Sequence, residues 1–151
     1  MSTDLYNWTD LGVALRAVTS KSQLTDKSNA DYAYFDKAYN LTKSDGSVDA
    51  AKADAIFPYL NTNPDQDGDG AVDSVQGIFE RPKIIYNKKN KQYVLWWHSD
   101  GSTTPGGSNY ARALAGVAVS DNPAGPFTMV GAYRLPNQNK FGKKPQVTPA
   151  G

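Results

Sequence analysis

Two groups of residues in this 151-residue chain have the types and spacing for chemistry. The first is Asp65-Gln-Asp67-Gly-Asp69-Gly70-Ala71-Val72-Asp73, a D-x-D-x-D-G-x-x-D run. Asp65, Asp67, Asp69 and Asp73 fall where a calcium loop places its side-chain oxygens. Gly70 stands where such a loop turns sharply, and Ala71 where it offers a backbone carbonyl. Four carboxylates this close repel one another unless a cation sits among them. The bidentate Glu that normally completes the shell is replaced by Gln76, so either affinity is low or a carboxylate from elsewhere joins. The expected role of Ca2+ is structural, stiffening a long loop; the competing reading is a solvated acidic turn. An echo at Asp45-Gly46-Ser47-Val48-Asp49 would need Leu41 and Lys43 as ligands, which cannot serve.

The second group is the charged run Glu80-Arg81-Pro82, which heads a strand, a polar turn and an aromatic strand that together span Phe79 to Asp100. Charge at the head of a strand is expensive if buried, so such a cluster sits where strands meet solvent or a ligand. Cleaving a glycosidic bond usually needs two carboxyl groups flanking it, and over residues 78–136 only Glu80, Asp100 and Asp121 are available. Asp121 lies in a turn and caps it. Glu80 has two open readings, a carboxylate facing a polar ligand or a surface ion pair with Arg81 or Arg112. His98 is the single histidine. No Ser or Cys nucleophile motif accompanies it, and its ordinary role is a hydrogen-bonded sheet residue. Trp96 and Trp97 alternate faces, so one packs inside and the other borders open space. The Ser102–Ser108 run is a flexible loop with no helix behind it to cradle a phosphate.

These residues need strands to hold them, and the second half of the chain supplies the pattern. Lys83 to Asn87 and Gln92 to Ser99 read as strands separated by the turn Lys88-Lys89-Asn90. Arg112 to Ser120 is small and apolar, with Gly116 allowing close backbone approach. After the turn from Asp121 to Pro126, Phe127 to Arg134 reads as a fourth strand, which completes an antiparallel meander. Near the N-terminus, Trp8-Thr9-Asp10-Leu11-Gly12 repeats the pattern Phe127-Thr128-Met129-Val130-Gly131. Repetition of an outer-strand motif is the grammar of radially repeated sheets, a β-propeller.

The expected organisation is all-β. Residues 1–20 are an outer strand of a preceding blade, 21–77 a polar insertion, 78–136 a four-stranded blade and 137–151 an irregular tail. Within the insertion, Asn29 to Leu41 and Ser47 to Leu60 are helix candidates, the second with Ser47 as N-cap and Pro58 near its end. The net charge of +1 gives no reason for a nucleic-acid or anionic-membrane partner. No apolar run approaches the roughly 20 residues that span a bilayer. The first residues lack the pattern of a signal peptide. Without cysteine there is no disulfide or thiolate metal site. The nine Tyr and three Trp suit sheet packing or a sugar-stacking surface.

Glu80-Arg-Pro-Lys-Ile-Ile-Tyr-Asn-Lys-Lys, Tyr93-Val-Leu-Trp-Trp-His98 and the run from Tyr110 through Gly125-Pro126-Phe127-Thr128 together resemble blade two of glycoside hydrolase family 43. They are most similar to its exo-β-1,3-galactanase branch. The likeness covers roughly residues 1–18 and 78–138 and leaves the insertion outside. It implies a five-bladed propeller, of which this chain would supply about one and a half blades. It also implies inverting hydrolysis of a plant-type polysaccharide, a sugar at the central channel, and a parent protein that is secreted or periplasmic. By this resemblance Glu80 and Tyr110 fall on sugar-binding positions, and His98 is a further candidate. No general acid or base has an equivalent here, so no catalytic residue is assigned. The chain alone is expected to be an inactive fragment. Its alternatives are a non-catalytic carbohydrate-binding propeller and a calcium-loop interaction module.

Overall fold

The computed structural model describes residues 4, 6–134 and 146–148. Among the described residues three helices, α1 (Ser22–Thr25), α2 (Tyr32–Tyr39) and α3 (Ala50–Leu60), precede a sheet. The strands are β1 (Gly77–Asn87), β2 (Gln92–Gly101), β3 (Leu114–Ser120), β4 (Thr128–Arg134) and β5 (Gln146–Thr148). They lie side by side in chain order, each neighbouring pair antiparallel. The four-stranded meander is therefore present. It is an open sheet with β1 at one edge, and a partial propeller goes beyond what this sheet establishes.

Three local expectations need correction. Among the described residues of 1–20 no outer strand forms, and Val18 makes a single parallel bridge to Asn61. The two copies of the aromatic-Thr motif diverge accordingly. Phe127 is carried straight back onto β3 by a short local turn and is buried, whereas Trp8 of the first copy is exposed. Residues 9–17 instead cross one face of the sheet. There the Phe127 N–H donates to the Ala14 carbonyl (2.9 Å). Val13, Ala14 and Leu15 line an apolar cleft of about 660 Å³ with Phe79, Ile84 and Trp97.

The second correction is the start of α3, capped by Asp49 and not by Ser47. Asp49 accepts the Lys52 N–H at 3.1 Å, while Ser47 is already tied to Asp45 Oδ1 through its N–H (2.8 Å) and hydroxyl (2.6 Å). A Ser engaged in its own turn is not free to cap. Third, the tail is not wholly irregular, because Gln146–Thr148 pairs with β4 in the register Tyr133↔Val147. The rest of the expected tail lies outside the described residues.

The insertion is part of the core. Leu24, Tyr32, Phe35, Tyr39, Ile56 and Leu60 are buried in one cluster with the sheet residues Leu95, Trp97, Phe127 and Met129. Burying each large side chain contributes roughly 1.5–3 kcal/mol, which is what holds helices to strands here. Polar ties reinforce the junction, since Thr128 Oγ1 donates to the Ala38 carbonyl at 2.8 Å. On the sheet itself, Trp97 stacks on Phe79 with centroids 5.9 Å apart and planes at 19°. Its indole also lies over Gly116, its cross-strand partner, where a side chain would overlap the ring.

One irregularity sets up the site. In the β1–β2 register Glu80 faces His98, yet the next pair is Lys83 with Trp96. β1 thus takes three steps where β2 takes two, a bulge built from Arg81 and Pro82. Arg81 adopts φ 54, and Pro82 has no N–H to leave unpaired.

Candidate functional site

The bulge presents Glu80 on the same face as His98, and the two form a chain with Tyr110 and Asp100. Tyr110 Oη donates to Glu80 Oε1 at 2.8 Å. His98 Nδ1 lies 3.3 Å from Glu80 Oε2, and its Nε2 lies 3.1 Å from Asp100 Oδ2. The imidazole is thus spanned by two carboxylates. Its neutral form can donate to only one of them, and the imidazolium to both. Glu80 and His98 keep about a third of their side-chain surface open, at 32% and 31%, while Asp100 is 2% exposed.

Local structure explains how Tyr110 arrives. The segment after the Ser102–Ser108 loop returns to the end of β2 through a parallel bridge between Gly101 and Tyr110. Asp100 Oδ1 accepts three backbone N–H groups, from Gly101 (2.9 Å), Arg112 (2.9 Å) and Ala113 (3.1 Å). Ala113 is held at φ 48, so two of the four non-glycine residues with positive φ among the described residues, Arg81 and Ala113, flank this cluster. Such strain persists only where surroundings over-determine it. Arg112 is buried behind the site. It donates to the Ser102 carbonyl (3.0 Å) and to the Pro58 carbonyl near the end of α3 (2.6 Å), with its guanidinium over the Tyr59 ring. It therefore ties the insertion to the sheet, and the ion pair with Glu80 considered from sequence is not formed.

The electrostatics follow from these contacts. The Tyr110 hydroxyl first, and His98 second, hold the Glu80 carboxyl below the usual range. Accepting the same bond, Glu80 pushes the Tyr110 phenol up. For Asp100 burial is the largest single influence and acts upwards. The N–H groups of Ala113, Gly101 and Arg112, together with His98, outweigh it, and the carboxyl lies below the ordinary value. The cluster thus presents one accessible carboxylate flanked by the Tyr110 phenol and the His98 ring.

The three residues proposed from sequence, Glu80, Tyr110 and His98, are brought together. Asp100 was visible as a carboxylate, but nothing in its neighbours marked it as the buried anchor of the group. Trp96 is 43% exposed on the same face as His98, and Trp97 is buried on the other. The apolar cleft lies across the sheet on the Trp97 face and is separate from this cluster.

In the acidic loop, carboxylate oxygens of Asp65, Asp67 and Asp73 all come within 4.8 Å of one another. Asp69 is not in that group, and like the other three it accepts a backbone N–H, from Ala71 at 2.7 Å. Gly68 and Gly70 supply the turns at φ 82 and 88. Gln76 points away, donating to the Thr62 carbonyl at 3.1 Å, and so does not stand in for the missing Glu.

No protein-family model and no curated protein matches this chain. Among solved structures it is similar to the exo-β-1,3-galactanase of Phanerochaete chrysosporium crystallised with galactose. The identity is 42% over 44% of this chain and 14% of that one, with a TM-score of 0.34. A variant of the same enzyme, crystallised with β-1,3-galactotriose, gives the same figures. A family-43 β-1,3-galactosidase crystallised with galactodeoxynojirimycin is 34% identical over 48% of this chain and 20% of its own, with a TM-score of 0.36. These neighbours are glycoside hydrolases of family 43, and the chain spans 14–20% of their lengths.

Proposed function

We propose that this chain is part of a family-43-type glycoside hydrolase acting on O-glycosyl bonds of a plant-type polysaccharide. The substrate in this reading is β-1,3-galactan, cleaved with inversion, within a five-bladed propeller. The chain's own contribution is to bind sugar through Glu80, Tyr110 and His98. The observation that carries this is the partly open Glu80 carboxylate held between a phenol and the His98 ring. A carboxylate accepts from sugar hydroxyls, a phenol donates or accepts, and the exposed Trp96 on the same face offers a ring against which a sugar's C–H face can stack. The Glu-Arg-Pro-Lys and Gly-Pro-Phe-Thr runs support the same assignment.

The same cluster argues that the chain binds and does not cleave. Two-carboxylate hydrolysis needs both groups at the bond. Asp100 is sealed from solvent and saturated by three N–H groups and His98, which leaves Glu80 alone. The purified 151-residue chain is therefore expected to release no galactose from β-1,3-galactan; measurable turnover in a reducing-sugar assay would overturn this. A non-catalytic carbohydrate-binding propeller is favoured by that single accessible carboxylate. It differs from the enzyme reading by whether neighbouring sequence supplies a second one.

The loop at 65–73 is proposed to hold Ca2+ through Asp65, Asp67 and Asp73, as a structural ion. With a dissociation constant of roughly 0.1–1 mM, typical of weak extracellular sites, 10 mM Ca2+ stabilises the fold by about 1.4–2.7 kcal/mol. The melting temperature should rise by several degrees in Ca2+ and fall back with EGTA, and Asp67→Ala should remove the response. An unchanged melting curve in Ca2+ sinks the site.

A further inference from the structure

We infer that Asp100 is the positioning residue for both partners of Glu80: one oxygen sets the orientation of His98 and the other sets the backbone that carries Tyr110. This rests on the sugar-binding reading of Glu80 for its purpose, but its geometry stands apart from that reading. Oδ2 faces His98 Nε2 at 3.1 Å and so turns Nδ1 towards Glu80. Oδ1 collects the N–H groups of Gly101, Arg112 and Ala113 and thereby pins the chain just after Tyr110. It also holds Ala113 in a left-handed conformation that a non-glycine residue does not adopt unaided. Tyr110 itself is 60% exposed, so packing does not fix its hydroxyl on Glu80. The backbone behind it must.

A carboxylate is required because the two tasks both need an acceptor. In Asp100→Asn the amide oxygen must stay with the three N–H groups, since turning the –NH2 to them would set donor against donor. The –NH2 then faces His98 Nε2, which must become an acceptor, and the ring proton moves to Nδ1. The substitution thus keeps the Tyr110 clamp and inverts His98.

The chain has a single histidine, so its imidazole gives one unambiguous pair of 15N signals. In the native chain without sugar, Nε2 is expected to carry its proton and to give a protonated-type shift. In Asp100→Asn it becomes an unprotonated-type nitrogen and Nδ1–H appears. Glu80→Gln should leave Nε2 protonated. An unprotonated Nε2 in the native chain, or an unchanged Nε2–H in Asp100→Asn, overturns the inference. If Asp100→Asn does not fold, the native chain and Glu80→Gln still decide it. Titration with D-galactose, followed on the Tyr110 ring signals, should show binding weakened roughly tenfold in Asp100→Asn. Inversion of the tautomer with no galactose binding by the native chain overturns the sugar reading while leaving Asp100 as the organiser of the cluster.

Discussion

Glu80→Gln is expected to weaken binding of β-1,3-galactobiose by roughly ten- to a hundredfold, with no change in the melting temperature. The substitution keeps the shape of the side chain and removes its charge. Hydrogen bonds to a charged acceptor are the stronger kind, and an amide leaves one of the sugar or Tyr110 hydroxyls facing a donor. Glu80 is partly open and outside the buried core, so folding does not depend on it. Calorimetric titration checks the affinity, and a thermal melt of the same sample checks the fold. Equal affinity in the two proteins would remove Glu80 from the site.

The largest effect on stability is expected at Gly116. A methyl group there would overlap Cε2, Cζ2 and Cδ2 of the Trp97 ring. That ring is enclosed between Gly116 and Phe79, with 4% of its surface exposed. Overpacking of this kind typically costs 1–3 kcal/mol, and a rigid bicyclic ring places Gly116→Ala near the top, at about 3 kcal/mol. For a chain of this size that is a fall of roughly 6–12 °C in melting temperature. Adding Trp97→Phe should recover part of the loss, because the smaller ring vacates the space the methyl needs. If the double variant melts lower than the sum of the two single changes, the clash is not the cause.

How much of this was legible in the chain depends on which residues answer to local rules. The meander was, because the turn at Lys88-Lys89-Asn90 and the β-branched and aromatic runs act over a few residues. Gly116 was, because an isolated glycine in a strand signals close approach. Tyr110 and Glu80 lie 30 residues apart, and only family likeness linked them. Asp100 went unmarked since its burial depends on a chain segment returning from position 110. The Asp49 cap was hidden by Ser47, an equally good capping type that Asp45 had already engaged. The first aromatic-Thr motif looked like a strand because its pattern matched. The described residues there form no strand, and a matching pattern does not by itself make one.

The bulge at Arg81-Pro82 has a consequence for how β1 is spelled. A strand is a two-letter text, inside then outside, and Phe79 and Ile84 are five letters apart. Read without interruption they would fall on opposite sides of the page. The structure puts both on the Trp97 side, with Phe79 opposite Ser99 and Ile84 opposite Leu95. The strand therefore contains a frameshift, and Glu80 and Lys83 share the other side only because of it. A relative with one residue more or fewer between these positions would not be a slightly longer or shorter version of the same hairpin. Everything after the change would be printed on the reverse.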